Sequence, residues 1–162
     1  MNRVLRVVSV VAFAVMLVSA GRCVAQDSFA GSEQDRAALQ KTGDAIRAAF
    51  AAGDVDAVMA YHHRKVEKWL NSTKHLVGRD AVRADLEQTF QSARLEFASS
   101  EVESVLFTGN AALEVSSFSI RGTPKNGGEP FLFKGRAMVM YVRSKESPTG
   151  WASIRELIQP AS

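Results

Sequence analysis

The sequence predicts an α+β domain. Its first half carries apolar residues at helical spacing, and its second half switches to strand alternation. The connectors between the later segments are rich in Gly, Pro, Asn and Ser. Helices first and strands later, with short loops between successive strands, means helices packed on a mostly antiparallel sheet.

An N-terminal segment precedes that domain. Residues 1–25 place Arg3 and Arg6 before an apolar run from Val7 to Val18, and end on small residues at Val24 and Ala25. A basic start, a short apolar middle and a small-residue end describe a secretory signal peptide. The run falls short of the roughly 20 apolar residues that a membrane span needs. The expected location is therefore the periplasm or the exterior. An uncleaved anchor and lipidation at Cys23 are the alternatives that would bring a membrane into play. The lipidation signal wants a small residue just before the cysteine, and Arg22 stands there.

Removing this segment changes the charge. The full chain has 20 Lys+Arg and 17 Asp+Glu, a net charge of +3. Without Arg3, Arg6 and Arg22 the bases fall to 17, equal to the acids. That balance gives no reason to expect a nucleic-acid or anionic-membrane partner. The single cysteine also lies in the segment, so disulfides and thiolate chemistry are not expected of a processed chain.

Residues 26–34 read as a flexible lead, and 35–160 as the domain. Ser32, with Asp35 three residues on, marks a helix start. Leu39, Ile46, Ala49 and Phe50 give that helix one apolar face as far as Ala52, and Gly53 stops it. Asp54 caps a short second helix through Val55, Val58, Met59 and Tyr61. An irregular stretch from Arg64 to Gly78 holds one strand, about Val66–Leu70. A third helix runs from about Asp80 to Ala93, with Leu86 and Phe90 on its stripe. Strands follow at Leu95–Phe107, Ala111–Arg121, Phe131–Ser144 and Trp151–Ile158. In the third of these, Phe131, Phe133, Ala137, Val139 and Tyr141 alternate with Leu132, Met138, Met140 and Val142. Lys134 and Arg136 stand near the start of the second set, but both faces are largely apolar, unlike a sheet with one wet face. One face should lie under the helices and the other should meet a second copy, so a homodimer through the sheet is expected.

Three stretches carry a family resemblance. They are "AIRAAFAAGDVDAVMAYHH" (Ala45 to His63), "VGRDAVRADLEQTF" (Val77 to Phe90) and the final strand opening "GWASI" at Gly150. The pattern resembles the SnoaL-like and ketosteroid-isomerase-like groups of the nuclear transport factor 2 superfamily, particularly their small exported members of unknown function. The resemblance implies a strongly curved sheet wrapped around the helices as a cone, an internal pocket at its wide end, and frequent dimerisation. Its motifs carry fold rather than chemistry.

In catalytic members an acid after the second helix acts as general base in an apolar pocket. Here His63, Arg64 or Lys65 occupies that place, which departs from the pattern. His63 or Glu67 is the candidate base, with Tyr61 or Arg155 to polarise a carbonyl. Alternatively, His62 and His63 sit at a helix C-terminus, where a partly cationic ring is favourable. Arg155 faces inward if the Trp151 face of its strand does; otherwise it pairs with a surface acid. Tyr61, Trp69, Phe90, Phe118, Met138, Met140, Trp151 and Arg155 are candidate pocket residues. The three histidines, His62, His63 and His75, match no ligand signature, so no metal or other cofactor is expected. No phosphate loop or hydrolase nucleophile motif is present. The leading expectation is an exported pocket protein for a small, mostly apolar molecule. An isomerase-, cyclase- or hydratase-type enzyme is the alternative. A protein-interaction module with a closed pocket is the third reading.

Overall fold

A computed structural model describes residues 29–71 and 73–161. The signal-like segment and Cys23 lie outside the described residues. Among those described, no helix is long and apolar enough to cross a membrane.

Helix α1 (Glu33–Ala52) begins where its first free amides find a partner. The Ser32 hydroxyl accepts the Asp35 N–H at 3.0 Å. It ends at Gly53, whose φ of 68° is the left-handed turn that glycine adopts without a Cβ penalty. Asp54 then accepts the Ala57 N–H at 2.9 Å and starts α2 (Val55–Met59). Strand β1 (His62–Leu70) and the short β2 (Lys74–Val77) form a hairpin that leads into α3 (Gly78–Ser92). Four strands complete the chain: β3 (Ala93–Thr108), β4 (Ala111–Pro124), β5 (Phe131–Arg143) and β6 (Trp151–Pro160).

The six strands form one sheet in the order β2-β1-β6-β5-β4-β3. Every neighbouring pair is antiparallel except β1–β6, which is parallel. The meander of β3 to β6 therefore returns to the strand that follows the first two helices. Register slips at Phe97/Ser99, Val102/Ser104 and Met140/Tyr141 bend the strands. The result is an open, curved sheet with helices against its concave face.

Two expectations change. His62 and His63 do not end a helix. They open β1, because α2 closes after five residues and the chain turns at Ala60–Tyr61. The stretch from Arg64 to Gly78 holds two strands rather than one, and its second, β2, is four mostly exposed residues with little apolar signal.

The bend in β6 matters most for the site. Arg155 pairs with Met140 and Ser153 with Tyr141, so Ile154 is an extra, unpaired residue. The alternation flips there. Trp151 and Ser153 lie on the inner face before the bulge, Glu156 and Ile158 after it, and Arg155 falls on the outer face.

Two buried clusters form the core. One joins Leu39 of α1 to Phe107, Ala112, Ala137, Val139, Tyr141 and Trp151. The other joins Ala49, Val58, Met59, Val66, Val82, Leu86 and Phe90. Two glycines leave room for rings on the strands. A Cβ at Gly122 would stand 2.1 Å from the Phe131 ring, and one at Gly135 would stand 2.6 Å from Phe118, 2.9 Å from Phe133 and 3.1 Å from the Gln159 carbonyl. Phe131 is half exposed and can swing away, whereas Gly135 is hemmed in partly by backbone. Gly135→Ala should therefore destabilise the fold by about 2 kcal/mol and Gly122→Ala by well under that, as measured by urea unfolding.

Candidate functional site

Between the two core clusters lies a cavity of ≈ 260 Å³. Helices α1 and α3 form its roof through Ile46, Phe50, Val82 and Leu86. The sheet forms its floor through Phe97, Phe118, Ile120, Phe133 and Val139. The aromatic rings run in sequence: Phe50 meets Phe97 at 5.8 Å, Phe97 meets Phe118 at 5.9 Å, and Phe118 meets Phe133 at 6.0 Å between centroids. Such edge and tilted contacts are the favoured aromatic arrangements.

One end of this apolar space is charged. The strand register places Glu114, Val139, Glu156 and Lys68 in a single row across β4, β5, β6 and β1. Tyr141, Ser153 and His62 form the adjoining row. Lys68 Nζ lies 2.8 Å from Glu156 Oε2, and His62 Nε2 lies 3.1 Å from Glu156 Oε1. All three side chains are buried, His62 almost completely. Removing charges from water is costly, so a buried pair persists only where its members satisfy each other.

Their environments push the groups apart. Burial alone would raise the Glu156 carboxyl, but the Lys68 ammonium and the His62 ring outweigh it and hold the carboxylate well below its usual range. Burial, assisted by the Lys68 charge, lowers His62 and keeps its ring neutral. Burial raises Glu114, and it raises Tyr141 well above the ordinary phenol value.

The His62 tautomer follows from its contacts. Nδ1 lies 2.8 Å from the Val58 carbonyl, which only accepts, so Nδ1 carries the hydrogen. In the neutral ring Nε2 is then a bare acceptor facing the Glu156 carboxylate, and it makes no hydrogen bond. Arg79 donates to the His62 backbone carbonyl and ties α3 to this end of β1.

Of the residues singled out from sequence, Phe118 lines the cavity. Phe90 is buried beside it, edge-on to Phe50 at 5.3 Å. Trp151 is core, edge-on to Phe107 with the Arg143 guanidinium 4.3 Å over its ring. Tyr61 sits at the turn before β1, and its carbonyl accepts the Ser153 N–H. The remaining candidates face away from the cavity. Glu67 pairs with Arg155 at 2.9 Å and with His75 at 3.1 Å on the outer face. Trp69 stacks on His75 there, and Met138 and Met140 are exposed. His63 is half-buried, its Nδ1 accepting the Lys65 N–H. Strand alternation explains these placements: His62 and Lys68 point in, so Glu67 and Trp69 point out. Among the described residues no cluster of His, Cys, Asp and Glu is arranged to hold a metal ion.

Sequence reasoning did not assign His62, Lys68, Glu114, Tyr141 or Glu156 to a site. The available signal was a charged residue inside an otherwise buried alternation, as at Glu156 between Ile154 and Ile158.

Comparison with known proteins agrees with this architecture. The SnoaL-like domain model matches residues 44–146, and the chain belongs to that family. A conserved protein from Planctomyces limnophilus DSM 3776 superposes with a TM-score of 0.72 at 21% identity, over 80% of this chain and 100% of that one. A ketosteroid isomerase-like protein from Erwinia carotovora atroseptica SCRI1043 gives 0.68 at 19% identity, over 81% and 99%. A nuclear transport factor 2-like superfamily protein from Salmonella enterica serovar Typhimurium LT2 gives 0.66 at 11% identity, over 80% and 91%. At these identities the likeness establishes the fold. No functionally curated protein matches the sequence.

Two predictions follow from the charged end. Glu156→Gln leaves the Lys68 ammonium buried without its counter-charge and should cost about 3 kcal/mol, measured by urea unfolding; Glu156→Gln with Lys68→Met should recover part of that loss. The second concerns pH. The folded His62 binds its proton less readily than the unfolded ring, whose ordinary value is 6.5. Its contribution is therefore full above about pH 6.5 and lost as pH falls below it. Glu156 acts in the same direction below its ordinary 4.5. Glu114 acts oppositely: its contribution is present below 4.5 and lost as pH rises through its raised value. Stability should fall between pH 7 and 5, and His62→Gln should flatten that segment of the curve.

Proposed function

We propose that this chain is a pocket protein that binds a small, mostly apolar molecule, with one polar group of that molecule at the His62–Glu156–Lys68 cluster. The observation that carries this reading is an aromatic-lined cavity ending in buried polar groups, one of which lacks a hydrogen-bond partner. Ligand sites combine these two features: apolar walls supply affinity and a few fixed polar groups supply orientation. The basic and then apolar pattern of residues 1–25 supports export to the periplasm or beyond.

A homodimer is part of the same reading. The outer face carries Val115, Met138, Leu157 and Trp69 in one row, with Leu106, Leu113 and Met140 in the next. Seven apolar side chains side by side are what a partner would cover. The Glu67–Arg155 and Glu103–Arg136 pairs flank them as a polar rim.

An isomerase-, cyclase- or hydratase-type enzyme is the second reading, and the fixed His62 tautomer favours it. A neutral imidazole in an apolar cavity is a competent base, and Glu114, raised by burial, is a candidate acid on the same floor. The base on this reading is His62, since His63 and Glu67 do not line the cavity.

Native mass spectrometry of the processed protein tests the pocket reading. The expected result is a dimer carrying a reproducible small-molecule adduct. A dimer that stays empty against a panel of apolar ligands would count against it. Met138→Lys should shift the dimer towards monomer in sedimentation. On the enzyme reading, the base-promoted opening of 5-nitrobenzisoxazole should exceed the buffer rate, disappear in His62→Gln and survive in His63→Gln.

A further inference from the structure

The cavity has a neighbour. A second apolar depression of ≈ 370 Å³ lies between the C-terminal end of α3 and the β4–β5 loop. Thr89, Ile120 and Phe133 line both spaces, so these side chains form the wall between the two. Leu95, Pro124 and Phe131 continue the apolar lining outward. At Gly122 and Gly135 the Phe131, Phe118 and Phe133 rings lie against the backbone, in the space a Cβ would claim. Along β5, the six steps from Val139, beside Glu156, to Phe133 span about 20 Å.

The charged end selects the head group. The two cations lining the cavity are already paired, Lys68 with Glu156 and Arg47 with Asp44. A carboxylate or phosphate head would find neither free and would face Glu156 and Glu114. His62 Nε2 and Glu156 Oε1 stand 3.1 Å apart as two acceptors with no hydrogen bond at Nε2. A group that donates a hydrogen bond fills that vacancy, whereas a bare carbonyl or ether oxygen does not.

We infer that the ligand is an elongated neutral amphiphile, with a hydroxyl head at His62 and Glu156 and an alkyl tail that passes Phe133 into the outer depression. This rests on the pocket reading above and narrows it to a ligand class.

Titration calorimetry with straight-chain alkan-1-ols delivered from cyclodextrin tests it. Hexan-1-ol and decan-1-ol are shorter than the span to Phe133 and stay in the inner cavity; hexadecan-1-ol matches that span and reaches the outer depression. The expected result is an affinity gain of about fourfold for each added methylene, continuing through hexadecan-1-ol. Ser92→Trp places a ring in the outer depression at an exposed position far from the charged end. It should leave hexan-1-ol and decan-1-ol binding unchanged and abolish the further gain for hexadecan-1-ol. Decyl methyl ether should bind at least tenfold more weakly than decan-1-ol. If hexan-1-ol and decan-1-ol bind but hexadecan-1-ol gains nothing over decan-1-ol, or Ser92→Trp has no effect, the two-chamber inference fails and the pocket reading stands. An ether that matches the alcohol overturns the head-group assignment. If no alcohol binds at any length, both the inference and the pocket reading for apolar ligands fall.

Discussion

The seam between β1 and β6 holds this molecule together, and the Lys68–Glu156 ion pair is its buried fastening. The two strands come from opposite ends of the domain and run parallel, so no tight turn joins them. Lys68 and Glu156 lie opposite each other in that register and neutralise each other out of water. If the register moved by one residue, one strand would turn its charge to the outer face and leave the other charge buried without a partner. The pairing thus fixes where the meander meets the helical half, and with it the width of the cavity.

That choice also gives the cavity its polarity. An apolar seam of equal volume would suffice for stability, and buried ion pairs often exchange for hydrophobic packing at little cost. What the charged seam adds is an orientation: one end of an apolar space carries groups that hydrogen-bond. Arg79 from α3 and the Val58 carbonyl from α2 then pin the His62 backbone and ring, so three elements converge on one imidazole. The site is built from the contacts that close the fold.

The helices were legible because their ends obey local rules. Ser32, Gly53 and Asp54 each do one stereochemical job that depends on near neighbours. The long strands were legible from alternation, and the apolar outer face of β5 followed from Met138 and Met140 alternating with Val139 and Tyr141. The charged end of the site was not. Charged residues read as solvent-facing by default, and only the long-range pairing of β1 with β6 shows that Lys68 and Glu156 point inward together. The histidines illustrate the same limit. His62 and His63 are equivalent in composition, and only the start of β1 decides that the first faces inward.

The bulge at Ile154 makes β6 a strand whose meaning depends on counting. Before it, odd-numbered residues face inward; after it, even-numbered ones do. Paired without the bulge, the same residues would turn the Arg155 guanidinium inward beside Lys68 and carry the Glu156 carboxylate to the outside. Losing Ile154 would do neither, because plain alternation would then run from Ser153 inward to Arg155 outward and Glu156 inward. The bulge, rather than the residue content of β6, decides which charge meets Lys68.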